Sequence, residues 1–161
     1  MFRPSRAAGA VAVALLTLLA LPASASAQAC VASQPGNHQL VIQPAAIAFS
    51  QPGVVDFEAG WIEFSQNVRV RVRPNLPGGS RWTLCLRSDD PDLGGYGKVV
   101  SDLEWRLNKD PGWRPLDTVD QAVATGRGNG NVRFRFRVLL SYALDEPGNY
   151  GTVLAFTAYP Q

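Results

Sequence analysis

The sequence predicts an all-β fold, an antiparallel two-sheet sandwich of immunoglobulin type, on three observations. Apolar and charged residues alternate with period two in several runs, turn-forming residues separate those runs, and no later segment sustains a helical period. A jelly roll is the nearest rival architecture.

The elements follow in chain order. Arg3 and Arg6 precede the apolar stretch 10–21, Pro22 breaks it, and Ala25-Ser-Ala27 has the small-x-small form of a leader cleavage site. Residues 1–27 therefore read as a secretory signal peptide, which predicts export and an oxidising destination. Residues 28–37 read as a loosely ordered arm, and residues 38–161 as a single β-sandwich domain. Within it, expected strands are His38–Gln43, 54–57, 62–64, 68–73, 81–87, 103–107, 121–125, 132–138 and 150–159. Turns separate them at Gln51-Pro-Gly53, 74–79, Asp110-Pro-Gly112, Gly126-Arg-Gly-Asn-Gly130 and Glu146-Pro-Gly148. In the two clearest strands, Val68, Val70 and Val72 alternate with Arg69, Arg71 and Arg73. Likewise Val132, Phe134, Phe136 and Val138 alternate with Arg133, Arg135 and Arg137. One face of each should be buried and the other wet.

Charge excludes little and favours less. Two of the 15 basic residues leave with the leader, so 13 basic residues then face 13 acidic ones. This balance gives no reason to expect a nucleic-acid partner. No later apolar run reaches the roughly twenty residues of a membrane helix. The two cysteines, Cys30 and Cys85, are expected to form a disulfide tying the N-terminal arm to a central strand, on the strand's less buried face. Lipidation of Cys30 is the alternative.

Catalysis finds few candidates. The lone histidine, His38, stands on an expected edge strand with no nucleophile motif around it, and it cannot complete a zinc set with two bonded cysteines. No cofactor and no enzymatic activity are expected. Asp89, Asp90 and Asp92, in a glycine-rich loop, offer hard oxygen ligands for calcium, or simply a solvated turn. Arg69, Arg71, Arg73, Arg133, Arg135 and Arg137 could grip a polyanion if their strands are neighbours, or be neutralised by acids such as Asp102, Glu104, Asp56 and Glu58. Trp82 and Trp105 have apolar neighbours two positions away and read as core, whereas Trp61 and Trp113 sit at loop ends and are candidates for a carbohydrate-stacking platform.

The last strand carries two resemblances. Gly148, Tyr150 and Leu154, with Trp82-Thr-Leu84 earlier, resemble the motifs of bacterial WxL-type cell-surface domains, although Phe156 and Ala158 replace that family's final tryptophan and leucine. The resemblance implies a β-sandwich and attachment to peptidoglycan. The same ending resembles pilin and spore-coat-like subunits, which carry a glycine fourteen places from the end and a near-final tyrosine. Here these are Gly148 and Tyr159. That resemblance implies assembly by strand donation, with Gln39-Leu-Val-Ile42 as a candidate donor arm or else the domain's own first strand.

The expected function is therefore that of a secreted, non-catalytic bacterial surface or envelope protein that attaches to a cell-wall or surface polymer. The alternatives are a strand-donating subunit of a pilus- or coat-like polymer, whose partners are other surface subunits, and a small carbohydrate-binding module.

Overall fold

A computed structural model describes residues 30, 38–44, 46–75, 79–94 and 97–161. The leader and most of the N-terminal arm lie outside the described residues. Nine strands form two antiparallel sheets. The larger contains β1 (His38–Gln43), β3 (Val68–Pro74), β8 (Gly130–Leu139), β5 (Leu103–Leu107) and β6 (Arg114–Pro115) in that order, with β2 (Trp61–Glu63) also on β8. The smaller has the order β7 (Gln121–Arg127), β4 (Arg81–Ser88), β9 (Leu154–Pro160).

The alternation read in the sequence sets the larger sheet's orientation. Val68, Val70, Val72, Phe134, Phe136 and Val138 are all at most 1% exposed. The intervening arginines point to the other face and are exposed or half-buried. Leu103 and Trp105 of β5 join the same core face. From the smaller sheet, Trp82, Leu84 and Leu86 pack opposite them, and Phe156 stands 5.4 Å from Phe134, ring centre to ring centre.

Three local expectations are corrected. Residues 54–57 are not a strand but the start of a short helix, α1 (Val54–Ala59). The Asp56 carboxylate accepts the Gly53 N–H at 2.8 Å, which caps the N-terminus, and Gly60 ends the helix at φ 77°. The turn buries Phe57 and leaves Val54 and Val55 outside. The last strand begins at Leu154 rather than 150. Tyr150 is buried ahead of it, its hydroxyl donating to the Glu146 carbonyl, so the Glu146-Pro-Gly turn is pinned from within.

The third correction concerns the disulfide. Cys30 and Cys85 are bonded, with Cα atoms 6.1 Å apart, which settles the pairing against lipidation. The face they occupy is not the wetter one. Thr83 and Cys85 are both fully buried. Cys30 covers one, and the Gln161 side chain donates to the Thr83 hydroxyl. So β4 is buried on both faces from Trp82 to Leu86, with Arg81 and Arg87 left exposed.

Candidate functional site

The site of interest is an edge. In the smaller sheet β9 pairs with β4 from Ser88↔Leu154 to Trp82↔Pro160. Among the described residues no strand pairs with its other side. Leu154, Phe156 and Ala158 face the core, yet Leu154 and Phe156 are only partly covered. The facing edge of the larger sheet is β1, whose Leu40 and Ile42 sit opposite the buried Val72 and Val70. These two side chains are also only partly covered. The Cα atoms of β1 and β9 come within 8 Å in places, but the strands do not pair. Along this seam, among the described residues, no main-chain hydrogen bonds join the two sheets, and the opposite edges are β7 and β6. At one end of the seam lies a cavity of about 120 Å³ lined by Pro44, Ile47, Val68, Val153 and Leu154. An unpaired strand edge with apolar side chains behind it is a template for another strand.

The donor-arm candidate is used up in this arrangement. Gln39, Leu40, Val41 and Ile42 are the middle of β1 and pair in register with Arg73 to Val70 of β3. They serve as the domain's own first strand. His38 begins that strand opposite Pro74.

The six arginines do share one face, because β3 and β8 are neighbours and Arg69 lies directly opposite Arg133. Their environments divide. Arg135 pairs with Glu63 at 2.7 Å and Arg137 with Glu104 at 2.6 Å. Of the four acids expected to neutralise this face, Glu104 does so, and Glu63 was not foreseen. It became visible only once β2 was seen to pair with β8, Glu63 against Arg137.

Trp61 and Trp113 lie on the same outer face, both beside Arg137. The Arg137 guanidinium sits 4.5 Å from the Trp113 ring centre and 5.9 Å from that of Trp61. Arg106 covers Trp113 at 4.7 Å. The Trp113 ring is thus taken up by cations of the chain itself, while Trp61 stays 38% exposed. The WxL-like tryptophan, Trp82, is 3% exposed and belongs to the core, as does Leu84.

Asp89 is drawn to Arg87 at 3.0 Å, and Asp92 bridges to Val99. Among the described residues no three metal-ligating side chains converge. A stronger electrostatic feature, unread in the sequence, lies nearby. Lys98 is 6% exposed, and its ammonium meets Asp145 at 2.7 Å and Asp102 at 3.0 Å. The Ser141 N–H donates to the same Asp145 oxygen at 2.7 Å. Burial by itself would lower the Lys98 pKa. The hydrogen bonds to Asp145 and Asp102 outweigh it and hold the pKa above the ordinary 10.5. Burial, then the hydrogen bond to Asp120, raises Tyr159 above 10.0.

No helix among the described residues is long and apolar enough to cross a membrane. The disulfide fits an oxidising compartment. No protein-family model matches the chain, and no curated protein matches it. Among solved structures, a chain from a chaperone-usher pilus matches at a TM-score of 0.47 and 14% identity, over 99% of this chain and 100% of that one.

Proposed function

We propose that this chain is a non-catalytic subunit of a surface polymer, and that it accepts an extended segment of a neighbouring chain along β9. The observation that carries the reading is the free outer edge of β9, with inward-facing Leu154 and Phe156 left half-covered behind it. An incoming strand would add to β9 by main-chain hydrogen bonds. It would place an apolar side chain at every second position over Leu154, Phe156, Leu40 and Ile42. For a strand to lie between the two edges, β1 and β9 must part to roughly 10 Å, two inter-strand spacings. The present approach within 8 Å is therefore the unfilled state. The occupant comes from another chain, because this chain's own apolar arm is already paired to β3.

The test is electrophoresis without boiling of the protein recovered from the surface of its source cells. A ladder of multiples that collapses on boiling is the expected result. Phe156→Arg should leave monomer alone, with the circular dichroism of the folded chain retained. Monomer from both proteins would overturn the reading.

A further inference from the structure

The outer face of the larger sheet holds a second feature that the polymer reading does not use. On that face β3 presents Arg69, Arg71 and Arg73, and β8 presents Asn131 and Arg133 beside them. Arg69 and Arg133 are directly opposed, an arrangement that costs stability between like charges. All thirteen acidic side chains of the chain lie among the described residues. None forms an ion pair with Arg69, Arg71, Arg73 or Arg133. This contrasts with Arg135 and Arg137, on the same strand and face, which are each matched by a glutamate. The unmatched half of the face roots its arginines about 7 Å apart along β3, with Arg133 about 5 Å across from Arg69.

Two shallow basins flank these arginines and meet at Arg133. One, of about 410 Å³, is lined by Arg69 and Arg133 with the amides of Gln43, Gln66 and Asn67. The other, of about 480 Å³, adds Lys109 and the amides of Asn108 and Asn131 around an apolar floor of Leu107 and Val132. Guanidinium groups bind carboxylates and sulfates through paired N–H donors. Primary amides both donate and accept, which suits the hydroxyls between acidic groups on a sugar chain. Among the described residues no aromatic side chain lines either basin, and Trp61 and Trp113 stand instead beside Arg137, in the matched half of the face.

We infer that the Arg69–Arg133 half of this face, with its two amide-lined basins, is a binding site for an acidic polysaccharide. Its anionic groups are held by Arg69, Arg71, Arg73 and Arg133, and its hydroxyls by the surrounding amides. The site is independent of the β9 edge, which belongs to the other sheet, so either can fail without the other.

The experiment passes the full chain over three immobilised polysaccharides: heparin as the sulfated probe, polygalacturonate as the carboxylated one and dextran as the neutral one. Retention on one or both acidic matrices and none on dextran is the expected result, and the two acidic arms tell sulfate from carboxylate recognition. Release should come well before about 1 M salt, where the screening length falls to about 3 Å. The double variant Arg69→Gln/Arg133→Gln should bind at least about tenfold more weakly. It should melt no lower than the parent, because it removes a repulsive pair. Arg81→Gln/Arg127→Gln, which removes the same charge from β4 and β7, should bind like the parent. Equal loss in both variants would reduce the effect to net charge and overturn the proposal. So would retention on no acidic matrix, or duplex DNA competing as well as the polysaccharide.

Discussion

Trp82 shows how a single residue can govern its neighbours. The sequence places it in the core by its apolar partners two positions away, and it is there, donating its indole N–H to the Gly128 carbonyl at 2.8 Å. The reason for the surrounding glycines is less legible. Gly126 and Gly130 read as turn residues, but both lie in strands under the Trp82 ring, where an added Cβ would stand 2.2 Å from it. Gly126→Ala or Gly130→Ala should therefore destabilise the fold by about 1–3 kcal/mol in denaturant unfolding, as overpacking does. The Lys98–Asp145–Asp102 cluster was illegible for another reason. Its members are up to 47 positions apart, and nothing local distinguishes a buried lysine from a surface one. Lys98→Met should cost about 3–5 kcal/mol, because it leaves the buried Asp145 carboxylate without its cation. The sign of the pH dependence follows from the same contacts. Both Lys98 and Tyr159 hold their protons more tightly folded than unfolded. Their contribution is complete below pH 10 and declines as pH rises through the raised values. Melting temperature should fall on the alkaline side above pH 10, and that fall should be smaller in Lys98→Met.

At the scale of elements, the sequence was most legible where alternation was strictest. β3 and β8 repeat an apolar residue every second position, and a slip of one residue would bury the arginines, so register and face were both determined. Phe136, fully buried on β8, should cost about 3–5 kcal/mol on truncation to alanine. Phe156, inward-facing but only half-covered at the β9 edge, should cost measurably less. That difference, read by urea unfolding, separates a filled core position from one awaiting cover. Where the chain has no alternation, local rules misled. The stretch 54–57 has the β-branched content of a strand, but the Gly53–Asp56 cap and the left-handed Gly60 close it as a helix. The aromatic residues at 61 and 113 read as loop-end positions, and nothing local says that Arg137 will stand beside both.

At the scale of the whole molecule, fold class and disulfide pairing were readable, while strand order was not. Which strands lie at the edges depends on contacts between distant segments, so the free side of β9 could not be located before the sheets were assembled. The Cys30–Cys85 bond spans 55 positions and anchors the N-terminal arm to the central strand of the smaller sheet. By the entropy of the loop it closes, its reduction should remove about 4 kcal/mol, seen as a lower denaturation midpoint under reducing conditions. The two sheets then divide the work proposed for them. The smaller sheet's edge accepts a neighbouring chain, and the larger sheet's face carries the unmatched arginines outward.

Amide hydrogen exchange along β9 tests the central claim most directly, comparing multimers recovered from the cell surface with monomer released from them and refolded. The expected result is that the outward-pointing amides of β9, those of Leu154, Phe156 and Ala158, exchange readily in the monomer and become protected in the multimer, while those around Arg114–Pro115 on the opposite sheet edge do not change. Protection of β9 already complete in the monomer, or unaltered by assembly, would contradict it.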